Sequence, residues 1–441
     1  MTKVFISDTK KGVNTAVDEM FTNLENDGLI LESSKDVYIK VNGINIYPHV
    51  HTSPEVLEAV IEYLKNKGGK IHVMENASQC AITRVVFAVT GYKEICDKLG
   101  ANVIYLDEEE VKTFEFKGKS SVKDDPKGYN LKTFRLPETI VKIIENRDKY
   151  TYINLPKFKT HCMARVTLGI KNQWGYPQHE DRGKDHNFNL HSKLVDVFEY
   201  IQPDATIIDG TTGTIHGHYP PIAFNDKQII EFNILIGGID MLAVDVVGAR
   251  IFGMTLDEVP HLRIAYDRGL GEGDLSKINV IGKNLDEYKE KYEWDLVQQF
   301  PEDVKIVKGK ELVCIEGCQN NTLNCLQLCA YDASESFKGG WFIIMGKGHD
   351  ENLVEQLKEE GYKKGLVVGF CAVDEVGENL RKEFGKGNVY FSGDCNNLVE
   401  TLSAEIALSG VNALALLPNV PLDRYIKLIA EARKHGTTAL F

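Results

Sequence analysis

The sequence predicts an α/β protein of two units: a larger N-terminal unit on a mixed or parallel sheet, and a C-terminal doubly wound, Rossmann-like unit. Three observations predict it. Over residues 1–283, short apolar runs alternate with amphipathic helical patterns, which implies parallel pairing in a layered sheet. Residues 284–312 are charged, have no clear apolar period and read as a linker. Residues 313–441 open on a cysteine-rich segment and continue as evenly spaced apolar runs with helices between them. At 441 residues the chain exceeds one ordinary hydrophobic core, so two or three domains are expected.

The elements follow in order. VYIKVN (37–42) is a short apolar strand with Lys40 out of place in it. PEVLEAVIEYLKNKGG (54–69) is a helix, with proline in its first turn, an acidic start and a glycine stop. KIHVMEN (70–76) and NVIYLD (102–107) are the next strands, separated by a helix around 81–99. The more polar segment 113–140 reads as a β excursion or an insertion. YTYINLPKFKT (150–160) is a strand, whereas 176–191 is too hydrophilic for a core. A helix (191–201), a strand (205–210), a Gly/His loop (211–221), a strand (232–238), a helix (243–253) and KINVIG (277–282) complete the first unit. Asp240 and Asp245 flank a helix start, and Asp240 suits an N-cap. In the second unit, WFIIMG, GLVVGFC, NVYFSGDC, NALALLP and TALF read as five strands, with helices near 350–361, 374–386, 397–408 and 421–434.

Composition narrows the function. Hydrophobic residues make up 43% and charged residues 26%, the mixture of a soluble globular protein, and no run approaches a transmembrane span. The net charge of −13 disfavours nucleic acid and anionic lipid as general partners. The N-terminal residues carry no apolar signal region, so a cytoplasmic location is expected. Nine cysteines in a reducing compartment argue against a disulfide scaffold.

Four of them fall in CIEGCQNNTLNCLQLC: Cys314, Cys318, Cys325 and Cys329. Cys371 closes one expected strand and Cys395 follows another, both at carboxyl ends, where open parallel sheets bind ligands. Six sulfurs could converge there. Three readings are open: a metal or cluster site, an inert core stripe, and a thiol–disulfide redox pair. As one helix, the segment would align its four thiols on one face, but Gly317 and QNNTLN (319–324) are poor helix formers. Zinc prefers tighter pairs, and the common ferredoxin run is absent. An iron–sulfur cluster, 4Fe–4S or larger, is favoured over zinc.

The first unit carries a second constellation. Lys157, Lys159, His161, Arg165 and Lys171 follow an apolar strand, which suits a carboxylate or phosphate, the bland alternative being a solvated basic face. Gly169 and Gly175 would let backbone approach a ligand. His49 and His51, and His216 and His218, form two His-x-His pairs beyond strand ends, which suit metal binding or loop hydrogen bonds equally. Lys40 is a candidate for the same crevice. No phosphate loop, dinucleotide fingerprint or nucleophile elbow is present.

VYIKVN, NLPKFKTHCMARVTLGIKNQWG, IIDGTTGTIHGHYPP, MLAVDVVGARIFG and AYDRGLGEGDLSKINVIG occur in that order. Over about residues 35–283 the chain resembles domain-of-unknown-function family 362, most specifically in KFKTH…IKN, which ends on Asn172. Members are often found with iron–sulfur segments in anaerobes, so the resemblance implies a cluster. This chain lacks the usual ferredoxin insert and carries its differently spaced cysteines in the C-terminal unit. The first unit resembles the nickel-pincer lactate racemase far more weakly, and no residue role is carried over from it.

The expectation is therefore an iron–sulfur oxidoreductase or electron-transfer enzyme acting on a small anion between the units. His161, Lys159 and Lys171 would be catalytic. Lys40, Lys157, Arg165, Asn172 and the four paired histidines would bind substrate. The alternatives are a redox-neutral racemase or isomerase on nickel or zinc, and a non-enzymatic cluster carrier or redox-responsive binding protein. A redox partner protein and a homodimer are compatible with each.

Overall fold

The computed structural model describes residues 1–67, 69–116, 132–184, 187–416 and 420–439. The first unit holds strands β1 (Thr2–Asp8), β2 (Asp36–Val41), β3 (Ile71–Glu75), β4 (Asn102–Tyr105), β5 (Val111–Glu115), β6 (Thr133–Pro137), β7 (Tyr150–Leu155), β8 (Lys157–His161), β9 (Arg165–Thr167), β10 (Ala205–Thr214), β11 (Ile229–Ile230), β12 (Ile234–Gly238) and β13 (Ile278–Gly282). Its large sheet runs β13-β1-β12-β10-β7-β2-β3-β4, with β8 and β11 paired to β10 off this path and β9 paired to β8. The β10-β7-β2-β3-β4 part is parallel, and β12 runs antiparallel to both β1 and β10.

Helices cover both faces. Val13–Asn26 and Pro54–Lys65 bury Met20, Phe21, Val56, Val60 and Leu64 against Ile39, Val73 and Ile153. Leu190–Tyr200 and Met241–Ile251 bury Leu194, Val197, Val244 and Val247 on the other face, and Asp240 caps the second through Ala243 N–H. The helix expected around 81–99 is two helices, Thr83–Thr90 and Tyr92–Leu99, broken at Gly91, whose φ of 84° is left-handed. The expected excursion is an antiparallel ribbon of β5 and β6, and residues 117–131 between them lie outside the described residues.

Pro156 separates β7 from β8. Its carbonyl accepts Asp209 N–H at 2.8 Å, and β10 pairs first with β7 and then with β8, where the register shifts between Asp209 and Thr214. Strand alternation on β8 puts Lys157 and Lys159 on one side and Phe158 on the other, where it stacks on Phe252 at 4.0 Å between centroids.

The second unit is a parallel four-stranded sheet in chain order: β14 (Val304–Lys308), β15 (Trp341–Met345), β16 (Gly365–Val368) and β17 (Val389–Ser392). Leu323, Leu326, Ala404 and Leu408 pack on one face, and Leu353, Val354, Leu357 and Leu380 on the other. Four sequence expectations are corrected. The stretch 304–308 is the first strand rather than linker; it is an edge strand, so its lysines are tolerated. NALALLP is a short 3-10 turn over Ala413–Leu416, because the sheet ends at β17, and 438–439 form no strand. The described part of 176–191 is not a solvated loop: Tyr176, Gln178, His179 and Arg182 are buried.

The last helix, Leu422–Lys434, returns to the first unit, burying Ala432 near Ile82 and Val86. Asn320–Gln327 is also a helix, flanked by π-helical turns at Ile315–Gln319 and Leu328–Asp332. Its weak helix formers are held by tertiary bonds: Asn320 donates to Cys162 O (2.8 Å), Asn324 to Tyr219 O (3.1 Å) and Gln327 to Val297 O (2.6 Å). These bonds override local propensity and join the two units.

Phe158→Ala is expected to cost about 3–5 kcal/mol, read from the denaturant midpoint, because a fully buried stacked ring is removed. A loss below about 1 kcal/mol would contradict this packing.

Candidate functional site

The parallel strands deliver buried cations to one edge of the large sheet. Lys40, near the end of β2, donates to Val41 O at 2.8 Å and pairs with Glu75 Oε1 at 2.5 Å. Lys159 donates to Asn42 Oδ1 at 2.7 Å and to Val50 O. A chain of buried amides links the strand ends: Asn42 donates to Asn172 (2.8 Å), Asn172 to Asn154 (2.8 Å), and Asn154 to Gly169 O (3.0 Å). Asp245 accepts Gly169 and Ile170 N–H at 2.7 and 2.8 Å, which fixes the short helix Gly169–Asn172. Gly169 thereby serves close packing, since a Cβ there would lie 2.7 Å from Met241 and 2.9 Å from Asp245. Gly175 lies against the Lys40–Glu75 pair, its ideal Cβ being 3.0 Å from Glu75 Oε1.

These groups line a polar cavity of about 90 Å³, with Lys40, Asn42, Glu75, Lys159, Lys171, Asn172, Arg182, His161 and His218 in its wall and Leu398 of the second unit across from them. Burial, then the Arg182 charge, holds the Lys171 amine down at about 7. Among the described residues Lys171 has neither a carboxylate partner nor a hydrogen bond. Burial, followed by the charges of Lys171 and Lys157, pushes Lys159 well below its ordinary value. Arg182, lowered to about 10 by burial, donates to Asn76 Oδ1 and Ala77 O. An amine poised near neutrality in an otherwise cationic cavity can bind an anion and exchange a proton with it.

His161 lies face to face with His218, centroids 3.6 Å apart, and Cys162 Sγ is 3.7 Å from His218 Nδ1. The donor atoms of these three residues lie within 4.8 Å of one another, a possible metal trio. However, Met163 N–H donates to His161 Nδ1 at 3.0 Å. That bond occupies the single lone pair of a neutral imidazole and assigns the proton to Nε2. His161 in this arrangement is an N–H donor rather than a metal ligand.

The other predicted residues lie elsewhere. Lys157 pairs with buried Asp209 at 3.0 Å and also donates to Ser53 Oγ (3.1 Å) and Thr211 Oγ1 (3.3 Å). His49 contacts Thr212 Oγ1 (3.3 Å), and His51 donates to Tyr47 O (2.9 Å), its pKa driven to about 4 by burial and then by Lys157. His216 donates to Asp295 O at 3.1 Å. These three histidines hold loops, and His218 alone of the four lines the cavity. Arg165 stacks 3.8 Å over Trp294 and pairs with Glu316, so it ties the cysteine segment to the first unit and does not line the cavity. Sequence reasoning missed Glu75 and Arg182. Glu75 ends a strand adjacent to β2, which was a usable signal; Arg182 sits in a stretch that reads as exposed.

The six candidate cysteines divide into two groups. Burial raises Cys318 well above its ordinary pKa, and Cys395, Cys314 and Cys371 are near enough to raise it further. Cys318 Sγ packs on Gly369, 2.7 Å from where a Cβ would stand, and Cys318 O accepts from Asn396 at 3.3 Å. The segment before helix Asn320–Gln327 thus meets the loops after β16 and β17. Cys325 instead neighbours Glu405, Cys329, Cys80 and Cys162. Among the described residues fully buried Glu405 has no hydrogen-bond partner on either carboxylate oxygen, and burial raises its pKa well above the ordinary value. None of the nine cysteines forms a disulfide. The π turns at 315–319, 328–332 and 373–377 all contain or closely follow one of these cysteines, and such turns are frequent at functional sites.

Replacing Lys171 tests its environment. With the folded pKa depressed from 10.5 to about 7, the native chain binds fewer protons folded than unfolded across that interval, so its stability rises with pH there. Relative to native, Lys171→Met is expected to gain stability as pH falls from about 10 to about 7 and to hold a constant difference below that, measured by urea midpoints. A difference independent of pH would contradict the depressed pKa.

A thylakoid-associated protein of Synechocystis sp. is 26% identical over 231 residues, 50% of this chain and 62% of that protein. The chain therefore spans less than two thirds of that relative. Among the described residues no helix is long and apolar enough to cross a membrane. Residues 37–250, which include Lys40, the KFKTH strand, Lys171 and Asp245, match the family described as Domain of unknown function (DUF362).

Proposed function

We propose that the protein binds an iron–sulfur cluster on Cys314, Cys318, Cys371 and Cys395 and acts as an oxidoreductase or electron-transfer enzyme on a small anion held between the units. The observation that carries this is the approach of four thiols from three segments at the carboxyl edge of the parallel sheet. The donor chemistry fits: four thiolates suit a cubane. Among the described residues the only donor trio within 4.8 Å is His161–Cys162–His218. The four thiols are thus spaced more widely than ligands of one tetrahedral ion, which supports a cluster over a single zinc. A bound cluster would supply one-electron transfer.

The chain's own groups would do the rest. Lys171 and Arg182 would neutralise the substrate anion beside the Lys40–Glu75 pair, and Asn42 and Asn172 would orient it. Lys171 would take or return a proton, and His161 would donate through Nε2–H. Lys159, its pKa lowered by burial, would brace the floor through its bonds to Asn42 and Val50. Leu398 lies three residues beyond Cys395, so the cluster ligands and the cavity wall share one loop. The reading carries with it a reducing, cytoplasmic setting and a redox partner protein. A redox-neutral metalloenzyme is the second reading, favoured by the His161–Cys162–His218 trio and opposed by the assigned proton on His161.

Anaerobic purification with iron and acid-labile sulfide analysis tests the proposal. About four of each per chain are expected, lost in Cys371→Ala and retained in Cys329→Ala. A protein without sulfide, or one whose iron survives Cys371→Ala, would overturn it.

A further inference from the structure

A second cavity, about 370 Å³, adjoins the cationic one, and this size lies within the range of ligand pockets. Ile44, Ser78, Met163, His218 and Leu398 line both, so the two spaces are adjacent and share a wall. The walls of the larger space are mainly aliphatic and aromatic, with Val86 from the first unit facing Leu328, Leu402 and Tyr425 from the second. Leu414, at its rim, is half exposed. The cavity is therefore a cleft between units with one cationic end.

We infer that the two cavities form a single site for an amphiphilic monocarboxylate, its head among Lys40, Lys171 and Arg182 and its apolar body against Val86, Leu402 and Tyr425. This rests on the anion-binding reading above and adds the substrate class to it. Charge favours one negative charge over a dianionic phosphate. Lys40 is already matched by Glu75 at 2.5 Å, and Lys159, its pKa lowered by burial, is already bonded to Asn42 and Val50. Arg182 and a partly protonated Lys171 remain, which balance a monoanion. His218 and Met163 stand at the junction, where the carbon next to the carboxylate would lie beside His161.

The test is calorimetric titration of the anaerobically purified chain with straight-chain carboxylates from acetate to octanoate, and with octanamide. Affinity is expected to rise about threefold to fourfold per added methylene, the value of burying one CH₂, and octanamide is expected to bind at least about tenfold more weakly than octanoate. Leu402→Trp, which fills the apolar space, is expected to keep native acetate affinity and lose the chain-length gain. Binding that is flat with chain length would leave the anion site standing and overturn the apolar extension. Equal binding of octanoate and octanamide would overturn the joined site. No binding of any carboxylate would overturn the anion reading and this inference with it.

Discussion

The structure depends on burying lysines at the carboxyl edge of a parallel sheet. Lys40, Lys157 and Lys159 are each essentially inaccessible, and Lys171 and Arg182 face the same cavity. Two carboxylates answer them directly, Glu75 for Lys40 and Asp209 for Lys157. A buried charge without a partner is costly, so the remaining amines shift toward neutrality. Holding Lys171 near 7 instead of 10.5 amounts to roughly 5 kcal/mol against its ammonium form. An anion bound in the cavity would relieve that cost. The amide chain Asn42–Asn172–Asn154 and the Asp245 clamp on Gly169 and Ile170 hold the cationic groups in place.

The second unit closes this edge. Helix Asn320–Gln327 docks with amide side chains on backbone carbonyls of the first unit, and Glu316 joins Arg165 and His191. The docking sets the direction of each cysteine pair. Cys314 and Cys318 face the loops of Cys371 and Cys395, while Cys325 and Cys329 face Glu405 and the first unit. The interface is thus both the wall of the cavity and the place where thiols gather.

Much of this was legible in the sequence. Lys40 in an apolar strand and the cations that follow the strand at 150–155 pointed to the sheet edge where the buried lysines lie. Strand and helix periods placed most of the first unit, and the carboxyl-end rule placed Cys371 and Cys395. What escaped reading depends on contacts far apart in the chain. Glu75 matters because β3 lies beside β2, and Arg182 because a polar stretch is folded inward. The poor helix formers of 319–324 form a helix because their amides find partners more than a hundred residues away. Edge strand β14 was hidden by its lysines, and the division of the six cysteines depends on where their segment docks, which the spacing alone does not give.

The depressed lysine is the centre of the account, and its titration is the most direct measurement. Pulsed acetylation across pH, with Lys171 followed by peptide mass spectrometry against the exposed lysines of the same chain, reads its pKa in the folded protein. The account predicts half-maximal reactivity at about pH 7, moving upward when a carboxylate is bound. A Lys171 that titrates with the surface lysines, near 10.5, would contradict it.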